Sequence, residues 1–266
     1  MSNRIDEKFK QLKAENKKAL ITYIAAGDGG FDLTEQAILA MEQNGADIIE
    51  IGVPFSDPIA EGKVIQEASL RAIRDYHTTL KGVFELVKKL RTQTNMPLLL
   101  MLYANTIFRT GTDYFFEKCR EVGIDGVIVP DLPFEEHDEF QEASEKNNIY
   151  NISLVTPAST GRIAKIASKA QGFLYCVSSV GVTGMRSHFD TDFNAFFGEV
   201  KNSAKIPYCV GFGIRDGETA HKMSAYCDGV IVGSAIVNKI GEFGQNAIPE
   251  IVTICQELRE GLDKIS

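Results

Sequence analysis

Residues 46–66 read ADIIEIGVPFSDPIAEGKVIQ. Ile48, Ile49 and Ile51 surround a single carboxylate, Glu50, and Gly52 closes the run. A short run that is apolar on both faces reads as a strand buried in a parallel sheet. The Pro-rich loop behind it carries two more acids, Asp57 and Glu61. Seven further runs of the same kind follow or precede it: LITYIAAG (20–27), PLLLMLY (97–103), GVIVPD (126–131), NISLVT (151–156), GFLYCVSS (172–179), PYCVGFG (207–213) and DGVIVGS (228–234). Helix-period segments lie between them. Leu33, Ala37, Ala40 and Met41 share one face, with Gly45 as a stop, and Ile248, Ile251, Val252, Cys255 and Leu258 form another stripe. Eight β/α units in 266 residues predict an α/β fold, a single (β/α)8 TIM barrel with an extra N-terminal helix, spanning residues 1–266 as one domain. Ile5, Phe9 and Leu12 give that helix an apolar face suited to covering the bottom of the barrel.

Composition narrows the function classes. The chain is 44% hydrophobic and carries a net charge of −8, without a basic patch for nucleic acid or anionic membrane. It has no signal-peptide pattern and no run near the roughly 20 apolar residues of a membrane span. Five scattered cysteines never form a CxxC; Cys176 and Cys209 read as small buried hydrophobes. The expectation is a cytoplasmic, soluble chain.

In such a barrel, function belongs where strands end. Glu50, Asn105, Asp131, Thr156, Tyr175 and Ser178 hold those positions, followed by Gly211, Gly213, Gly233 and Ser234. Glycines after the last two strands, with a helix start close behind, predict a phosphate site built from backbone N–H groups. GVTG (181–184) adds a further side, and the polar stretch 180–192 has the look of a lid. An acid among apolar residues has a raised pKa, which suits general acid–base work for Glu50; pairing within the barrel wall is the structural alternative. Asp131, in PDLP, serves equally well as a residue that fixes its loop.

The four histidines avoid strand ends, no strand contains a lysine, and no GxGxxG follows a first strand. Histidine-ligated zinc, a metal site, Schiff-base catalysis and dinucleotide binding all lack their residues. What remains is carboxylates and a tyrosine facing a phosphorylated ligand, a kit for proton-transfer lyase or isomerase chemistry.

IEIGVPFSDPIAEGKVIQ, YANTIF, IVPDLP, YCVSSVGVTG, GFGIR and DGVIVGSAIV, in this order on successive strands, resemble the tryptophan synthase alpha subunit family from about Phe9 to Ile240. The resemblance implies retro-aldol cleavage of indole-3-glycerol phosphate to indole and glyceraldehyde 3-phosphate. It also implies a beta-subunit partner in an α2β2 heterotetramer, with pyridoxal phosphate in the partner and no cofactor here. By the same resemblance Glu50, Glu61 and Tyr175 are catalytic. Tyr23, Ile128 and Phe212 hold the indole ring, Gly184, Gly213, Gly233 and Ser234 the phosphate. Thr183 belongs to the lid, and Asp57 couples to the partner. One departure stands out: the family motif A-D-G-P is AEGK here, with Glu61 for Asp and Lys63 for Pro. Either Glu61 still reaches the ring N–H, or it pairs with Lys63 and turns away. The competing functions are an alpha chain kept only to activate its partner, and a phosphosugar isomerase or epimerase. Ser179, where some relatives carry Arg, is a lesser departure.

Overall fold

The computed structural model describes residues 2–177, 193–211 and 213–264. Among the described residues nine strands are formed: β1 Ala19–Ala25, β2 Ile48–Gly52, β3 Leu98–Met101, β4 Gly126–Ile128, β5 Tyr150–Asn151, β6 Leu154–Val155, β7 Leu174–Val177, β8 Tyr208–Gly211 and β9 Gly229–Val232. All pairings are parallel, in the order β5-β4-β3-β2-β1-β9-β8-β7-β6. The two ends of that list are halves of one segment. Ile152 N–H donates to Val127 O at 2.9 Å on one side, and Tyr175 N–H donates to Ser153 O at 2.9 Å on the other. The run 151–156, expected as one strand, therefore splits because its halves serve different neighbours. That split closes the sheet into a barrel, and the TIM-barrel expectation holds.

Period-2 alternation sorts each strand into two layers. Leu20, Ile24, Ile49, Ile51, Leu98, Leu100, Val127, Leu174, Val210 and Val230 pack outward with the helices. Ala19, Ile21, Ile48, Leu99, Ile128, Ile152, Phe173, Cys209 and Ile231 fill the inside, together with Ile5, Phe9 and Leu12 of the helix Arg4–Ala14. That helix is the bottom cover anticipated from its pattern, with Phe9 and Phe173 ring centroids 5.8 Å apart. Its start is pinned twice. Asn3 accepts from Ile5 N–H at 3.0 Å as N-cap and donates to Asp125 O at 2.9 Å, while Arg4 pairs with Asp125 at 2.7 Å.

The helix Phe31–Gln43 ends where expected, with Gly45 at φ +105° beyond its last turn. The second loop runs from Val53 to Gly62 and leads into the helix Lys63–Arg74. Lys63 sits at the first helical position, where proline fits as readily as any residue.

Candidate active site

Glu50 lies two residues beyond Ile48 on β2, so the same alternation turns it into the barrel interior. Its register partners are Tyr23 on β1 and Leu99 on β3. It is 1% exposed, and its Oε1 has no hydrogen-bond partner. Burial alone pushes its pKa up to about 8. A carboxyl so placed is protonated at neutral pH and gives up its proton readily to a modest base.

Above it opens a cavity of about 380 Å3, lined by Tyr23, Glu50, Glu61, Tyr175, Gly213, Gly233 and Ser234 among others. Seven of the residues singled out from the sequence thus meet in one place. They arrive from five parts of the chain: β1, β2 with its loop, β7, the loop after β8 and the loop after β9. Tyr23 is buried and Tyr175 partly buried; loss of hydration raises both phenols well above their usual pKa, with Glu61 and Glu50 adding to the effect at Tyr23 and Glu50 at Tyr175. Both are hydroxyl donors at any physiological pH. Gly211 makes room for one of them: a Cβ there would stand 2.6 Å from the Tyr175 ring. Gly213, at φ +74°, adopts the left-handed conformation that side chains other than glycine strain to reach. Gly233 and Ser234 open the helix Ser234–Phe243, and the N–H groups of Ser234 and Ala235 precede its internal bonds, which begin with Ile236 and Val237 N–H on Gly233 O. Helix start and glycine loop together form a cradle for an anion on the cavity wall.

Glu61 is the residue on which the sequence left two outcomes. It is 6% exposed and lines the cavity, and the Tyr103 hydroxyl donates to its Oε2. Lys63 pairs elsewhere, with its Nζ 3.7 Å from Glu67 at the exposed surface. Glu61 does not turn outward. Burial raises its pKa, and the Tyr103 hydrogen bond works in the opposite direction. The loop is also held by Gln66, whose Nε2 donates to Glu61 O at 2.8 Å and Pro58 O at 3.3 Å.

Other expected positions are placed differently. Ile128 does not line the cavity: it is fully buried in the interior core, and its register partner Met101 reaches the cavity wall instead. Asp57 lies outside the cavity on the exposed second loop, where Ser56 Oγ donates to it at 2.6 Å. Asp131 takes the loop-fixing role, accepting from Ala104 N–H at 2.9 Å. Asn105 is exposed, and Thr156 caps a short turn of 3-10 helix. Thr183, Gly184, Phe212, Ser178, Ser179 and the stretch 180–192 lie outside the described residues. Tyr103 was missed. Its signal in the sequence was only a tyrosine closing the third strand run, without mark of a tie to a loop 42 residues earlier.

The family model for the tryptophan synthase alpha chain matches residues 9–263. The chain belongs to the tryptophan synthase alpha chain family. The alpha chain of Alkaliphilus metalliredigens is 45% identical over 240 residues, 90% of each chain. That of Thermoanaerobacter sp. is 42% identical over 263 residues, covering 98% of this chain and all of the relative. The crystal structure of tryptophan synthase subunit alpha from Legionella pneumophila superposes with a TM-score of 0.90 at 34% identity, covering both chains fully. The family's alpha chains are carbon–carbon lyases that act on indole-3-glycerol phosphate and work with a beta subunit, to which pyridoxal phosphate belongs. The tryptophan synthase alpha fold is thus shared over its whole length, with Glu50 of β2 and Glu61 of the loop behind it turned into the cavity.

Proposed function

We propose that this cavity performs the aldol-type cleavage of indole-3-glycerol phosphate to indole and glyceraldehyde 3-phosphate through Glu50 and Glu61. The observation that carries this reading is Glu50: a fully buried carboxyl on the cavity wall, with one oxygen unpartnered and a pKa near 8. Such a group suits both halves of the reaction. It delivers a proton to C3 of the indole ring and takes one from the side-chain hydroxyl next to the breaking bond. The ring becomes an indolenine, which draws the bonding electrons as the carbon–carbon bond opens. Glu61 accepts the ring N–H and offsets the positive charge that develops there. The Tyr175 hydroxyl donates into the same site, and Tyr23 forms a wall for the ring. Gly213, Gly233 and Ser234 hold the phosphate, and Gly184, Thr183 and Phe212 complete the substrate's surroundings in this reading.

We assign Asp57 to coupling with the beta subunit, which its exposed position on the loop next to Glu61 supports. The same reading gives an α2β2 heterotetramer in the cytoplasm, active in tryptophan biosynthesis, with the chain as one domain. No helix among the described residues is long and apolar enough to cross a membrane. The inward Glu61 speaks against a chain retained only to activate its partner.

Indole release from indole-3-glycerol phosphate by the purified chain is the test. Wild type is expected to turn over, Glu50→Gln to be inert, and Glu61→Asp to remain active. An inert wild type rescued by Glu61→Asp would favour the activator reading. Inertness of every form, even with a beta subunit, would point to another phosphorylated substrate.

A further inference from the structure

Tyr103 sits where three loops meet. Its ring is 3% exposed and stacks on Phe55, with centroids 4.7 Å apart and planes 20° from parallel. Its oxygen accepts the Ala60 N–H at 2.9 Å, and its proton goes to Glu61 Oε2. The residue after it, Ala104, donates its N–H to Asp131 at 2.9 Å. A chain of bonds therefore runs from the loop after β4, through the end of β3, to the loop after β2.

We propose that Tyr103 is a positioning residue for Glu61: its hydroxyl takes one carboxylate oxygen and so presents the other to the substrate's ring N–H. The proposal rests on the lyase reading above and deepens it. Glutamate has one more rotatable bond than the aspartate of the family motif, so its carboxylate must be confined to act as the shorter side chain does. A phenol already engaged on both sides, as acceptor from Ala60 and donor to Glu61, supplies that confinement. The Glu61 carboxylate also takes a hydrogen bond from its own backbone N–H, and with about four lone-pair sites it keeps acceptor capacity for the substrate. Removing the hydroxyl frees the side chain to sample positions on the order of 1 Å away, a displacement that costs roughly a hundredfold in rate at most.

Tyr103→Phe keeps the ring on Phe55 and deletes only the hydroxyl. In the variant, kcat is expected to fall roughly tenfold to a hundredfold with KM little changed. Glu61 is faced by the Tyr103 hydroxyl, the Asp131 carboxylate and, from β1, Tyr23. With Tyr103 deleted, its lowering influence is gone, so the Glu61 titration, followed by carboxyl NMR in the substrate-free chain, moves to higher pH. The Ala60 amide is expected to be protected from hydrogen exchange in the wild type and to become exchangeable in Tyr103→Phe. A fall in kcat with an unmoved Glu61 titration would mean that Tyr103 only braces the loop, which overturns the proposal. An unchanged kcat overturns it as well. Should Tyr103→Phe fail to fold, the wild-type Tyr103 hydroxyl proton decides alone: a slowly exchanging resonance with a cross-peak to the Glu61 side chain supports the proposal, and a freely exchanging hydroxyl ends it. Exchange and titration need no turnover. An inert wild type that passes both would refute the lyase reading and leave the clamp standing, whereas an active wild type that fails them would do the reverse.

Discussion

Two buried carboxylates, at opposite ends of the same barrel, are treated in opposite ways. Asp125, at the bottom, is 3% exposed and surrounded by donors: Arg4 at 2.7 Å, Arg91 at 2.7 Å and the Leu98 N–H at 2.9 Å. Glu50, near the top, is 1% exposed, with an oxygen that meets no donor and a pKa raised to about 8. Burial is nearly equal, so burial does not separate structure from function. Partners do. The satisfied acid holds the N-terminal helix and the third and fourth strands together, and the unsatisfied one is left free for a ligand. A buried charge with its partners is a fastener, and a buried acid without them is a reagent held in reserve.

Exchanging the two behaviours by mutation breaks or sharpens this contrast. Glu50→Gln is expected to lower kcat by about a thousandfold to ten-thousandfold, near the upper range for a lost acid–base group, without loss of the folded state. Steady-state assay beside a thermal melt checks both halves. Asp125→Ala has the reverse profile. It strands Arg91, whose side chain is only 11% exposed, and should cost about 3–5 kcal/mol of stability by denaturant titration. Turnover per folded molecule, measured well below the melt, should change little. Comparable losses of activity in the two variants would erase the distinction.

The pH dependence of Glu50→Gln sharpens the point further. In the wild type the folded-state pKa of about 8 stands above the usual 4.5, so folding favours the protonated form. The stability of the wild type relative to Glu50→Gln is fully present below pH 4.5 and is lost as pH rises through 8. The variant should therefore gain on wild type between those limits, at about 1.4 kcal/mol for each pKa unit retained. Melts at pH 5 and pH 8.5 read the difference directly, and parallel curves would mean that Glu50 is better hydrated than its surroundings indicate. The smallest effect is expected at Gly213→Ala. Strain at φ +74° costs about 1 kcal/mol, and the phosphate cradle should show this as a raised KM with kcat nearly unchanged.

The N-terminal helix cover and the inward turn of Glu50 were both legible from spacing. Ile5, Phe9 and Leu12 repeat at helical intervals, and Glu50 stands two residues from Ile48 in a strand. The split of 151–156 into β5 and β6 was not legible, because nothing local in NISLVT records which neighbour each half will meet. Ile128 was assigned to the cavity wall and lies in the interior core instead. Strand alternation states that a residue points inward, and the stagger of the ring decides the level at which it sits. Glu61 illustrates the same boundary. Its sequence neighbour Lys63 suggested a local ion pair, whereas the partner it meets, Tyr103, closes a strand far along the chain. A partly exposed ion pair is worth little against a buried hydrogen bond to a phenol already fixed by stacking.

By itself, then, the sequence determined the repeating β/α order, the two faces of each strand, the family and the acid inside β2. These features are written in residues a few positions apart, where periodicity and side-chain chemistry act directly. Only the tertiary structure decided which acid is satisfied and which is not, where Glu61 finds its hydrogen bond, and which apolar residues reach the cavity. Those outcomes depend on distances between segments far apart in the chain, and such distances exist only once the ring has closed.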